Sequence, residues 1–212
     1  MKYKCLVFDH DDTVVSSTAA IHHPSFVEYI RDYNFDVTCS FEEYVLGCFH
    51  YGCPGFFYEM GLTPEDLKVE EIYWKNYVST RIPTAYPGIR EIMEEQRRRG
   101  GYIAVCSHSV SGYILRDYRE NGLPEPDLIY GWDRPENERK PYPFPLLDIM
   151  EKLSLSKEDL LMIDDLKPGF DMAKSVGVDF AAASWAYDIP EIADFMKKNC
   201  TYFFKSVNEL KR

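Results

Sequence analysis

Cys5-Leu6-Val7-Phe8-Asp9-His10-Asp11-Asp12-Thr13-Val14 is the stretch whose reading decides the fold. Leu6 to Phe8 is a short apolar run bounded by polar residues, the pattern of a buried strand, and it stops on a carboxylate. In an open parallel α/β sheet, ligands bind just outside the carboxyl ends of the strands. Asp9 and Asp11, on alternate positions, are therefore expected to project into that crevice. Two carboxylates so placed stay ionised cheaply only with a cation between them. Asp is also a common turn residue, so one Asp-x-Asp carries little weight without the rest of the chain.

The rest of the chain supplies two more strand ends of the same kind. Tyr102-Ile103-Ala104-Val105-Cys106 is a buried run that stops on Ser107-His108-Ser109, and Leu160-Leu161-Met162-Ile163 stops on Asp164-Asp165. Serine hydroxyls and exposed N–H groups between a strand and a helix form an anion-binding concavity. Lys140 stands before a helical pattern between these two strand ends. Four carboxylates facing one crevice call for a hard cation with oxygen ligands, magnesium fitting best. A lysine, a serine and backbone N–H groups beside it describe a phosphoryl pocket. In such a pocket an aspartate can attack phosphorus while a second carboxylic acid protonates the leaving oxygen.

Between Ser16 and Ile82 the pattern turns helical, with Phe26, Tyr29, Ile30 and Tyr33 at three- and four-residue steps and no strand expected. Ser40 to Glu43 has the form of a capping box, Thr63-Pro64 of a helix start, and Gly52, Pro54 and Gly55 of a turn. From Tyr86 onward strand and helix alternate, which predicts a doubly wound parallel sheet. The expected organisation is an α/β core over residues 1–15 and 86–212, with an inserted helical cap over 16–85.

Composition narrows the function further. The 212 residues are 45% hydrophobic with a net charge of -11, so the basic footprint of a nucleic-acid binder is missing and acidic lipid surfaces are disfavoured. No 18-residue apolar run occurs, and Met1 to Lys4 lead straight into the first strand without a signal-peptide core. A cytoplasmic protein is expected. Its six cysteines lack Cys-x-x-Cys spacing and read as small buried apolar residues.

The motifs Asp9-His10-Asp11-Asp12-Thr13, Cys106-Ser107-His108, Lys140-Pro141 and Asp164-Asp165 occur in an order and at spacings that closely resemble the haloacid dehalogenase superfamily. The branch resembled is that of phosphatases with a small helical cap, similar to phosphoglycolate phosphatase and beta-phosphoglucomutase. The resemblance implies a Rossmann-like core, a Mg2+ cofactor and a small phosphorylated metabolite as substrate. It makes Asp9 the nucleophile and Asp11 the general acid/base. Ser107, the neighbouring His108 and Lys140 would bind phosphate. Asp9, Asp165 and the backbone carbonyl of Asp11 would hold the metal, with Asp164 close by. Asp12 departs from the glycine found in many relatives; Asp tolerates a left-handed backbone, so the loop is expected to survive. Asp11 is missing from the superfamily's dehalogenases, so its presence here implies phosphate chemistry. A phosphomutase would need a second phosphate clamp, which the cap sequence does not display. A non-catalytic binding module would not need the intact Asp9, Asp11, Lys140 and Asp165 set. In the cap, the turn containing Tyr51 and the pair His22 and His23 are candidates for substrate contact.

Overall fold

Apolar runs that stop on a polar residue form strands, and amphipathic runs between them form helices, over residues 2–211, which the computed structural model describes. β1 (Cys5–Phe8) is followed by β2 (Val15–Ser16) and by helices α1 (His23–Asp32), α2 (Phe41–Glu59) and α3 (Pro64–Ser79). β3 (Thr84–Ala85) leads into α4 (Ile89–Arg98), β4 (Tyr102–Cys106), α5 (Ser111–Glu120) and β5 (Leu128–Tyr130). There follow α6 (Phe144–Leu153), β6 (Leu160–Asp164), α7 (Lys167–Val176), β7 (Asp179–Ala183), α8 (Pro190–Asn199) and β8 (Tyr202–Phe204).

Six strands make one parallel sheet in the order β5-β4-β1-β6-β7-β8, and β2 pairs with β3. β1 is continuously apolar because helices cover both faces of such a sheet, and all four of its residues are fully buried. The order reverses at β1: the chain steps outward through β4 and β5, then returns to β6 on the other side. That reversal opens the crevice outside the strand ends between β1 and its two neighbours. Leu6, Phe8, Ile103, Val105, Leu161 and Ile163 form the middle of the core with Ile89, Met93 and Ile114 from α4 and α5. Each fully buried side chain of this size stabilises by about 1.5–3 kcal/mol. α8 had no counterpart in the sequence reading, although Pro190 in its first turn and buried Ile192, Ala193 and Met196 are its signal.

The described residues divide into two compact units, Ser16–Pro83 and the remainder. Within the core unit the N–H of Tyr86 donates to the Val14 carbonyl at 2.9 Å, so the insert's points of departure and return are adjacent. The insert itself is helical. Ser40 and Thr63 close capping boxes with Glu43 and Asp66 at the starts of α2 and α3. The expected turn at His50 to Gly55 is instead a kink inside α2. Gly52 alone takes non-helical angles, φ 70° and ψ 162°, and Pro54 lies in the turn that restarts the helix. No helix among the described residues is long and apolar enough to cross a membrane.

Glu70 of α3 is half-buried in the insert, and burial, with Cys53 and Glu71 adding, pushes its carboxyl up to about 8 from 4.5. The folded unit therefore holds this proton more tightly than the unfolded chain, and the associated stability is present below 4.5 and lost as pH rises through 8. Glu70→Gln should leave the thermal midpoint nearly unchanged at pH 5 and raise it by several degrees at about pH 8.5. A pair of calorimetric scans at the two pH values checks this.

Candidate active site

Phe8 pairs with Val105 on β4 and with Ile163 on β6, so Asp9 and Asp164 leave neighbouring strands side by side. The N–H of Asp9 donates to the Ile163 carbonyl at 2.8 Å and fixes that alignment. Asp9, Asp164 and Asp165 are all buried, and each offers an oxygen within 4.8 Å of the others. Three carboxylates that close repel one another and have lost their hydration. Lys140, brought in by the loop before α6, meets this charge: its Nζ donates to Asp9 Oδ1 and to Asp164 Oδ2, both at 2.7 Å. Burial pulls the Lys140 ammonium down, but the charges of Asp164 and Asp9 outweigh it and hold it protonated. Burial pushes Asp164 up to about 6 even against Lys140. Burial raises Asp165 well above the usual carboxylate range, with Asp164, Asp9 and Asp12 adding to it. With all three ionised, the excess over the one cation would be two negative charges on an all-oxygen donor set. Such a set could hold a hard divalent cation.

Other strand ends fix the groups around this cluster. Thr13 Oγ1 donates to Asp165 Oδ1 at 3.3 Å, and the Tyr187 hydroxyl donates to Asp165 Oδ2 at 2.5 Å. Trp185 Nε1 donates to the Thr13 carbonyl at 3.2 Å. The N–H of Leu166 donates to Asp164 Oδ1 at 2.8 Å, just before α7. A Cβ added at Gly169 would lie 2.1 Å from Asp164 Oδ2, so only glycine lets this helix approach the carboxylate.

On the β4 side, Ser107 is buried, its N–H donating to the Tyr130 carbonyl at 2.9 Å and its Oγ accepting from the Ser109 N–H at 3.1 Å. Ser109 Oγ donates to Asp11 Oδ2 at 2.5 Å, tying the second aspartate to this loop. His108 Nε2 donates to the Lys140 carbonyl at 2.8 Å, so the imidazole holds the lysine's backbone. Asp12 is buried with φ 58°, the left-handed conformation that Asp accepts, and its N–H donates to Val15. His10, between the two aspartates, donates from Nε2 to Asp117 Oδ2 at 3.1 Å, and Arg116 donates to Asp117 Oδ1 at 2.8 Å. The His10 Nδ1 is buried without a partner.

The structure thus brings Asp9, Lys140, Asp164 and Asp165 into one cluster with His108 holding the Lys140 backbone, and it joins Ser107 to Asp11 through Ser109. His22 and Tyr51 belong to the helical unit. There His22 Nδ1 accepts from Trp74 Nε1 at 3.0 Å, and Tyr51 is 56% exposed. The sequence reading named Ser109 only as part of the strand end Ser107-His108-Ser109, without a role, and passed over Tyr187. Tyr187 lies four residues past the end of β7, whereas the rule applied to β1, β4 and β6 stops at the first polar residue, which there is Ser184. The His10–Asp117 pair, 107 positions apart, has no signal in the sequence.

Comparisons with known proteins bear on this geometry. The phosphoglycolate phosphatase of Aquifex aeolicus (strain VF5) is 30% identical over 122 residues, covering 55% of this chain and 56% of that protein. The chain spans about half the length of the curated relatives it matches. The crystal structure of a predicted phosphoglycolate phosphatase from Haemophilus somnus 129pt has a TM-score of 0.80 at 20% identity, covering 100% of this chain and 97% of that one. CbbY from Rhodobacter sphaeroides, in complex with phosphate, has a TM-score of 0.73 at 18% identity, covering 98% and 96%. At these identities the likeness shows the fold. A family model described as haloacid dehalogenase-like hydrolase matches residues 6–183, from the first strand to the end of β7. With that match over most of its length, the chain belongs to the haloacid dehalogenase-like hydrolase family.

Proposed function

We propose that the chain is a magnesium-dependent phosphatase of small phosphomonoesters, acting through an aspartyl-phosphate on Asp9. The observation that carries this reading is the Lys140 ammonium held at 2.7 Å from both Asp9 and Asp164, within a buried all-oxygen cluster. A carboxylate attacks phosphorus only where the phosphoryl oxygens' charge is met, and a lysine there meets it without being able to leave. Asp9, Asp164, Asp165 and the Asp11 carbonyl would hold the metal. When bound, Mg2+ neutralises phosphoryl oxygens and lowers the repulsion between nucleophile and ester. Asp9 forms the new O–P bond as the ester O–P bond breaks. Asp11, held by Ser109, gives its proton to the departing oxygen and later takes one from the water that hydrolyses the acyl phosphate. Ser107 and the N–H groups of its loop receive the phosphoryl oxygens, with Lys140 donating beside them. The helical insert acts as a cap, its Tyr51 and His22 candidates for choosing the ester, and the relatives' activity makes phosphoglycolate the first substrate to assay. We place the enzyme in the cytoplasm.

Phosphate release from a generic aryl phosphate and from phosphoglycolate, with magnesium and with a chelator, tests this reading. Release that is unaffected by chelation, or no release with any ester, would overturn it. Asp9→Asn should abolish turnover while circular dichroism shows an unchanged fold, because an amide is a poor nucleophile. Asp11→Asn should lower turnover by about 10²–10⁴, the usual worth of a positioned general acid.

Tyr187→Phe removes a donor from Asp165 and raises that carboxyl further, so a proton competes better with the metal. A hydrogen bond to a charged group is worth about 1.5–3 kcal/mol, so magnesium affinity by calorimetry should fall by about 10- to 100-fold, with a larger deficit at pH 6 than at pH 8.

Magnesium should also raise the thermal midpoint, and more at pH 7.5 than at pH 5. Asp164 is raised from 3.8 to about 6 in the fold. Its contribution to metal-free stability is therefore present below 3.8 and lost as pH rises through 6, where a bound cation compensates for it. Melting curves with and without the ion, at both pH values, check the sign.

A further inference from the structure

Helix α2 carries Cys48 one turn before the Gly52 kink and Cys53 immediately after it. Side chains five positions apart on an unbroken α-helix point about 140° away from each other. In this helix the two Sγ atoms lie 3.3 Å apart. The kink creates that approach, since φ 70° at Gly52 turns the second half of the helix and brings Cys53 back over Cys48. An S–S bond is about 2.05 Å long, so the two sulfurs need to approach by only a little over 1 Å. The two thiols differ in access: Cys48 is 4% exposed, whereas Cys53 is half-buried. Burial pushes Cys39 up to about 11 and Cys5 and Cys200 up to about 12, which suits inert apolar filling.

We propose that Cys48 and Cys53 are a dithiol modification site, at which hydrogen peroxide oxidises the pair to a disulfide that locks the kink of α2. The Cys53 thiolate attacks a peroxide oxygen: the S–O bond forms, the O–O bond breaks, and hydroxide leaves to become water on protonation. The Cys48 thiolate then attacks the Cys53 sulfenic sulfur, forming S–S and expelling a second hydroxide. Two thiols are oxidised and one peroxide is reduced to two waters, with no further reactant. The proposal is independent of the reaction assigned to the core.

The test uses the whole reduced protein, treated with a small excess of hydrogen peroxide, then unfolded and alkylated with iodoacetamide. Trypsin releases residues 32–68 as one peptide carrying Cys39, Cys48 and Cys53. The expected product is two hydrogens lighter than the reduced peptide, carries its single alkyl group on Cys39, and reverts with dithiothreitol. Cys53→Ser should abolish the mass loss, and Cys48→Ser should leave a sulfenic acid on Cys53 that dimedone captures. A disulfide that joins Cys39 to either residue, a peptide that stays reduced while peroxide is consumed, or a Cys53→Ser protein that still loses two hydrogens overturns the proposal. Since a serine at buried Cys48 can compromise folding, phenylarsine oxide on the wild-type protein provides a second measurement. One equivalent should protect Cys48 and Cys53 together from alkylation, and protection of neither overturns the proposal.

Discussion

The ammonium of Lys140, shared between Asp9 and Asp164, is the contact on which the centre of this structure depends. A parallel sheet carries its strands' carboxyl ends to one edge, and this sequence ends two adjacent strands on aspartates. Burial makes that arrangement costly, because each carboxylate loses water and faces another of like sign. Removing one partner of a buried ion pair typically costs about 3–5 kcal/mol, since the remaining charge is stranded. The lysine stabilises the core by meeting both carboxylates at once. Its backbone carbonyl is held in turn by His108, so the position of the charge is set by the β4 loop as well as by its own.

Around that charge the fold is organised as a set of strand ends, each contributing a different kind of group. β1 gives carboxylates, β4 gives hydroxyls, β6 gives two more carboxylates, and the segment after β7 gives the Tyr187 phenol and the Trp185 indole. The local concessions collect here too. Asp12 accepts a left-handed backbone, Gly169 gives up a side chain so that α7 can touch Asp164, and His10 leaves a ring nitrogen unpaired. Departures of this type persist only where surrounding structure over-determines them, and they concentrate where a protein does its chemistry.

Much of this was legible in the sequence because strands covered on both faces are apolar from end to end, so the first polar residue marks the strand's end and the crevice together. Asp9, Ser107 and Asp164 could be read that way. Lys140 was readable by position between two such ends, but its bridging of Asp9 and Asp164 was not, because the bridge depends on a loop path. At β7 the same rule reaches Ser184, and Tyr187 lies three residues further on, beyond what the end of a strand marks. The His10–Asp117 pair depends on which face α5 turns toward β1, and no periodicity encodes that. In the insert, Gly52 and Pro54 signalled a change of direction correctly. They could not say whether the chain would leave the helix, because a single left-handed glycine redirects a helix as readily as it ends one.

The hydrogen bond from Tyr86 to Val14 has a consequence for how such a chain can change. The core closes on itself at that point regardless of what is spliced between the two residues. Loop-closure entropy grows only with the logarithm of length, about 0.6 kcal/mol per doubling, so the core is nearly indifferent to the size of its guest. A segment attached in this manner behaves as a cassette. It can be lengthened, trimmed or replaced by an unrelated helical module while the sheet and its acidic edge keep their register. Inheritance can then act on the two parts at separate rates, with the chemistry held fixed and the surroundings free to vary.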